Sequence, residues 1–234
     1  MLIRKEDIVK TIAIIGQKGG TGKTTTTLGL AVCAELAGFP TAILDLDPQT
    51  NAANWKDRRD NRPGGKSEGP AVESIQPGRL RQTLKAAEAN GAGFVFIDTP
   101  GKSDTAAIEA ARVADLVLIP VRPQIFDLET LAAVRDTLRV AGSPPAYVVL
   151  NGIHPSASKS PDQQRGVISQ AFDLPVCPVY LSHYAIHGEA PAGGETPLEM
   201  KPNGRAAAEL KALFQFVQDT ARERAADTKL EAAR

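Results

Sequence analysis

A glycine-rich run, Lys18-Gly19-Gly20-Thr21-Gly22-Lys23-Thr24-Thr25, restricts what this chain can fold into more than any other feature. It follows the apolar, β-rich residues 11–16 (TIAIIG) and opens a helical pattern from Lys23 to about Ala37, with Gly38 as the stop. Glycines let the backbone curl so that several N–H groups point inward. A helix beginning at that point turns its positive end to the same hollow. Strand, loop and helix in this order make a polyphosphate cradle at the carboxyl end of a strand. Lys23 supplies a full charge to the β- and γ-phosphates, and the Thr24 hydroxyl is placed to ligate Mg2+.

The rest of the chain repeats the alternation. Residues 41–45, 71–75, 93–98, 116–120, 146–151 and 176–181 read as strands. Residues 79–90, 106–113, 128–140, 162–172 and 204–226 read as helices. Strands alternating with helices predict an α/β, three-layer fold, a mostly parallel central sheet with helices on both faces. The length suits one domain over residues 1–234, with an N-terminal extension at 1–10 and a polar tail at 226–234 expected to fray. Residues 62–70 (RPGGKSEGP) read as a loop.

Lys plus Arg and Asp plus Glu both number 27, so no global field draws the chain to nucleic acid, and any such contact must be a local patch. No stretch approaches the ~18 apolar residues of a membrane span, and no signal peptide is legible, so a cytoplasmic protein is expected. Cys33 and Cys177 are far apart and outside any C-x-x-C, which fits buried thiols rather than a cluster or metal site. His183 and His187 are four apart, but Pro and Gly crowd the region, and no metal site is expected there.

Two further strand ends carry acid. Residues 45–50 read DLDPQT, and alternation puts Asp45 and Asp47 on one side of an extended segment, where they repel unless a cation lies between them. The strand at 93–98 ends in Asp98, followed by Thr99-Pro100-Gly101, an apolar run that holds a carboxylate near Mg2+.

The loop departs from G-x-x-x-x-G-K-[ST]: Gln17 stands where the first glycine belongs, and Lys18 is extra. In this it resembles the deviant phosphate loop of the ParA/MinD superfamily, in the short ParA subgroup without an N-terminal helix-turn-helix. Residues 45–49, Asn54-Trp55, residues 119–127 (IPVRPQIFD) and, more loosely, 194–199 with 204–210 extend the resemblance over most of the chain. The resemblance implies an ATPase with weak intrinsic turnover that uses ATP and Mg2+. Lys18 would reach the partner's nucleotide in an ATP-dependent homodimer, Asp47 would position the attacking water, and Asp45, Asp98 and Thr24 would surround Mg2+. Asp47-Pro48 and Asp98-Thr99-Pro100-Gly101 would be the switches, residues 18–25 would hold ATP, and Asn151 would read the adenine edge.

It also implies DNA segregation. Non-specific DNA would bind in the ATP state, placing the protein on the nucleoid, and a ParB-like or centromere-binding partner would stimulate hydrolysis. Lys201, Arg205, Lys211, Arg222 and Arg224 are the DNA candidates, although residues 201–234 hold seven basic and five acidic side chains. Arg58, Arg59, Arg62 and Lys66 form a second basic group that reads as solvated. One alternative is positioning of a protein cargo, such as an organelle, chemotaxis or conjugation machinery. A MinD-like membrane switch is disfavoured by a C-terminus poor in bulky apolar residues, and the family's usual arginine after the last strand is replaced by Ser182-His183-Tyr184.

Overall fold

The computed structural model describes residues 9–62, 69–154 and 160–232, with side chains of the last helix described to Glu223. Seven parallel strands form one sheet in the order β3-β2-β4-β1-β5-β6-β7. They are β1 (Lys10–Ile14), β2 (Thr41–Asp45), β3 (Ala71–Ser74), β4 (Phe94–Asp98), β5 (Leu116–Val121), β6 (Ala146–Ile153) and β7 (Leu181–Ser182). The helices are α1 (Lys23–Leu36), α2 (Asn51–Asp60), α3 (Leu80–Ala89), α4 (Asp104–Val113), α5 (Ile125–Leu128), α6 (Thr130–Val140), α7 (Pro161–Phe172), α8 (Ile186–Glu189), α9 (Pro197–Met200) and α10 (Arg205–Ala232).

The period-two alternation of the central strands sorts their side chains onto two cores. Ile12, Ile14, Ile43, Phe94, Phe96, Leu116 and Leu118 face one way, against α1 and α10. Ala13, Leu44, Val95, Ile97, Val117 and Ile119 face the other way, with Ala106, Ala110, Leu131 and Val134 of α4 and α6. Both sides of these strands are dry, which is why they read as nearly unbroken apolar runs. On the first face α10 lies so close to α1 that a Cβ on Gly29 would stand 2.6 Å from Leu210 Cδ2. Leu210 is wholly buried there. Leu210→Ala should cost about 2–5 kcal/mol, read as a lower midpoint in urea, because the rigid sheet behind it cannot collapse into the hole.

Three expectations need correction. The strand at 176–181 shrinks to Leu181–Ser182 plus a single bridge from Val176 to Val148. Pro175 and Pro178 remove the N–H groups a longer ladder needs. The last helix, expected at 204–226 with a frayed tail after it, runs from Arg205 to Ala232, and α2 at Asn51–Asp60 is an element that no sequence pattern announces. Arg58, Arg59 and Arg62 are not a solvated face: they donate to the carbonyls of Pro191, Gly194 and Gly193 at 2.9, 3.0 and 2.7 Å, and Arg59 also pairs with Glu199 at 2.6 Å. The segment at 190–199 is thereby clamped onto α2, with Trp55 buried between them and its Nε1 donating to Glu195 O. Gly194 is required in this clamp, since its φ is +67° and a Cβ would sit 2.4 Å from Arg59 N. Lys66 and the extension at 1–8 lie outside the described residues.

Candidate nucleotide site

The carboxyl ends of β1, β2 and β4 lie side by side, with Ile14 opposite Asp98 and Asp98 opposite Asp45. This register brings together the glycine-rich loop and the two acidic strand ends, which the sequence holds far apart. A cavity of about 670 Å3 opens over them, lined by Gly19, Gly20, Gly22–Thr25, Asp47, Pro48, Gln49, Pro100 and Gly101, among others.

The loop is braced from two sides. Gly22 has φ +93°, and a Cβ on it would collide with Asn151 Nδ2 at 2.0 Å. The Asn151 amide donates to Thr21 O at 2.6 Å and accepts from Gly152 N at 2.9 Å. The nitrogen end of that amide serves the loop and the oxygen end its own strand, so reading an adenine edge requires it to release Thr21. On the other side, a Cβ on Gly101 would lie 2.7 Å from Gly19 N. The turn after β4 therefore rests directly on the loop backbone, and a shift in either one moves the other.

Lys23 is buried, and its ammonium donates to Lys18 O at 2.9 Å. Burial holds its pKa below the usual lysine value, partly opposed by Asp98 and Asp47. Thr24 Oγ1 donates to Asp98 Oδ2 at 2.6 Å, and Thr27 Oγ1 donates to Asp98 Oδ1 at 3.3 Å. The Asp98 carboxyl is wholly buried and pushed up to about 7, first by burial and then by Asp45 and Asp47, against the Thr24 hydrogen bond. A site that sets the Asp98 carboxylate beside the Thr24 hydroxyl, with Asp47 on the cavity wall, has the donor set for a hard cation with oxygen ligands. Gly19 and Gly20 have no heavy atom within 4 Å of where a Cβ would be, so the cradle is open to phosphate. The residues present fit Mg2+ and a nucleoside triphosphate. Among the described residues no group of three or more His, Cys, Asp or Glu side chains is placed to hold a metal ion by itself, so a cation here would depend on the Thr24 hydroxyl and on phosphate oxygens as well.

Asp45 and Asp47 do not share a side as the alternation implied. Strand β2 ends at Asp45, and the chain turns so that Asp47 N donates back to Asp45 Oδ1 at 3.0 Å. Asp45 Oδ2 accepts from Ala52 N at 3.0 Å and Ala53 N at 3.2 Å. Asp45 is thus buried beneath the start of α2, with its oxygens given to backbone, while Asp47 lines the cavity. Thr99 Oγ1 donates to Ile14 O at 2.8 Å, which pins the second acidic turn to β1.

Lys18 turns away from the cradle. It pairs with Asp127, which is fully buried and also receives Arg122 Nε at 2.6 Å. The motif at 119–127 placed Asp127 in sequence, but nothing local announced this partnership across 109 residues. Gln17 Nε2 donates to Asp104 Oδ1 at 2.6 Å, another contact the sequence did not reveal.

The C-terminal basic candidates do not form one patch. Lys201, Arg205 and Lys211 are exposed at the start of α10, and Lys211 donates to Pro202 O at 3.0 Å. Arg222 lies about 25 Å further along the helix axis and faces Asp219 at 3.8 Å. The Arg224 side chain lies outside those described. Among the described residues no helix is long and apolar enough to cross a membrane.

The family model described as the CobQ/CobB/MinD/ParA nucleotide binding domain matches residues 12–196. The chain is 29% identical over 213 residues to the maintenance of carboxysome distribution protein A of Gloeobacter kilaueensis, covering 90% of this chain and 93% of that one. It is 28% identical to the chromosome partitioning protein ParA of Caulobacter vibrioides, covering 62% of this chain and 68% of that one. Among solved structures, the septum site-determining protein MinD of Pyrococcus horikoshii, complexed with Mg-ADP, superposes with a TM-score of 0.69 at 17% identity, covering 90% and 96% of the two chains. The protein is a P-loop ATPase that uses ATP and Mg2+. With a braced phosphate cradle, acidic strand ends beside it and a family match across most of its length, the chain belongs to the CobQ/CobB/MinD/ParA family, on its ParA/MinD branch.

Proposed function

We propose that this ATPase is a dimerising switch for DNA segregation, closed by ATP and reopened by hydrolysis. The observation that carries the reading is the direction of Lys18. It opens the phosphate loop, yet its ammonium lies on Asp127 while Lys23 alone of the two lines the cavity. A lysine unused by its own site is available to a second copy. In that role it brings charge to the partner's triphosphate and ties assembly to bound ATP. Ile125 and Phe126, 64% and 72% exposed, stand beside Asp127 and offer an apolar contact for the same partner.

Within each subunit, Lys23 and the loop N–H groups hold the β- and γ-phosphates, and Thr24 and Asp98 hold Mg2+. When bound there, Mg2+ would offset the negative charge that builds on the transferring phosphoryl group. Asp47, at the cavity wall, accepts a hydrogen bond from the attacking water and orients it. Pro100-Gly101, resting on Gly19, shifts when the γ-phosphate leaves. Intrinsic turnover is slow, and a ParB-like or centromere-binding partner accelerates it. Lys201, Arg205 and Lys211 of two subunits join into a patch for non-specific DNA, which puts the ATP form on the nucleoid.

A DNA titration at several salt concentrations with ADP, ATP and a non-hydrolysable analogue tests this reading. Binding should appear with the analogue, weaken steeply with salt and be lost with ADP. Lys18→Ala should still bind ATP but stay monomeric by light scattering and ignore DNA. Nucleotide-independent DNA binding, or a normal ATP dimer of Lys18→Ala, contradicts the switch.

A second reading, positioning of a protein cargo, is favoured by the relative involved in carboxysome distribution, which this chain spans for 93% of its length. Deleting the protein from its host separates the two. Loss of plasmid or chromosome inheritance supports segregation, whereas intact inheritance with a misplaced protein assembly supports cargo positioning.

A further inference from the structure

Asp127 is held by more than Lys18. Its carboxylate is fully buried and divided between two cations, Lys18 on Oδ1 and Arg122 on Oδ2. Its backbone is fixed as well: Asp127 N donates to Gln124 O at 2.9 Å, and Asp127 O accepts from Thr130 Oγ1 at 2.6 Å. The carboxylate therefore cannot follow Lys18 when that lysine swings outward. Arg122 reaches the same carboxylate from close by in the chain: its stem runs beside Gly152, and its Nε donates to Asp127 Oδ2 at 2.6 Å, independently of Lys18.

A buried carboxylate stripped of its only cation is strongly unfavourable. One that keeps a charge-assisted hydrogen bond from arginine is not. With both cations present, Asp127 carries one positive charge more than it needs, and the two cations repel each other. We propose that Arg122 is a standing counter-ion that keeps Asp127 neutralised and so frees Lys18 to leave for the partner's nucleotide. Arg122 is in this sense a positioning residue, acting through Lys18 and touching neither nucleotide nor Mg2+. The inference rests on the reading of Lys18 as a residue that acts across a dimer. Its consequence is that the ease of ATP-driven dimerisation is set in part at β5 (Leu116–Val121) and its exit, outside the phosphate loop.

The test is the dimer dissociation constant at saturating non-hydrolysable ATP analogue and Mg2+, measured by analytical ultracentrifugation. Two latches open per dimer. If Arg122→Gln raises the cost of each by about tenfold, the dimer weakens by about 100-fold. Arg122→Lys, which keeps the charge, should recover most of that loss. In an Asp127→Asn background no buried charge remains to neutralise, so adding Arg122→Gln should change the dimer by less than about threefold. A structural fault at position 122 would persist in that background and would not be repaired by lysine. Dimerisation of Arg122→Gln at the wild-type level, or failure of both the lysine rescue and the Asp127→Asn cycle, overturns the proposal. Should Arg122→Gln not fold, the lysine variant and the Asp127→Asn pair of measurements still decide. Lys18→Ala, run alongside, separates the two ideas. If it dimerises normally, the underlying reading fails; if only the Arg122 variants behave as wild type, only this inference fails.

Discussion

Asp98→Asn should yield a protein that melts at a higher temperature than the wild type without nucleotide, yet has lost almost all hydrolysis. The carboxyl at the end of β4 is wholly buried and faces Asp45 directly across the register. Burial first, and then Asp45 and Asp47, push its pKa from 3.8 up to about 7. The sign of the pH dependence follows. Below about pH 4 the group is protonated in both folded and unfolded states, and no penalty exists. As pH rises from there, the unfolded chain releases the proton and the folded chain keeps it, so unfolding gains ground until the folded carboxyl also ionises near 7. Without nucleotide, the wild-type melting temperature should therefore fall across that window.

An amide has nothing to ionise. Asparagine keeps an oxygen for the Thr24 hydroxyl, so the variant should lose this component of the slope and gain about 2–6 °C at pH 8. The same amide cannot balance Mg2+, and loss of such a charge at a phosphoryl-transfer site costs about 10²–10³-fold in turnover. Calorimetry between pH 5 and pH 8, with a phosphate-release assay, reads both effects. A lower melting temperature at pH 8, or turnover within tenfold of wild type, contradicts this account of Asp98.

The sequence displays features whose cause is local and hides those whose cause is not. Strands β1 and β4 are legible because both of their faces are dry and their runs end sharply in glycine or aspartate. The loop is legible because its chemistry lies in consecutive residues. Helix α2 is hidden because only Ala52 and Trp55 are buried on it and because its N-terminal donors are satisfied by Asp45, a strand residue, instead of a neighbouring Ser or Asp. Thr50, at the cap position, has φ +50° and makes no side-chain cap. The arginines of α2 look like an ordinary solvated face until the turn at 190–194 presents its carbonyls to them. The shortened β7 could have been foreseen, since Pro175 and Pro178 stand in plain view. The Lys18–Asp127–Arg122 cluster could not, because the parallel order of β1 and β5 alone brings its members together.

Asp45 is where the two kinds of reading meet, and its substitution should have the largest structural effect of any residue at the site. Family resemblance places it near Mg2+, while its oxygens accept three backbone N–H groups at 3.0, 3.0 and 3.2 Å. Asp45→Ala orphans those donors beneath α2. Each such group costs about 1–3 kcal/mol, and with partial access of water a total loss of about 3–5 kcal/mol is expected. The start of α2 should unravel, and Asp47, Pro48 and Gln49 should lose their places on the cavity wall, so nucleotide affinity falls together with stability. Asp45→Asn discriminates between the two roles. It keeps one acceptor oxygen and the side chain's shape, and it removes the carboxylate that repels Asp98. If Asp45 acts as a cap, the asparagine variant should be destabilised by less than half as much as the alanine variant, and its Mg2+ requirement at fixed ATP should stay within about threefold of wild type. If it acts through its charge on the cation, Asp45→Asn should shift the Mg2+ requirement as far as Asp98→Asn does. Denaturant midpoints and Mg2+ titrations on the three variants, measured side by side, distinguish these outcomes. The capping account falls if the asparagine protein folds as well as wild type yet needs Mg2+ at tenfold higher concentration.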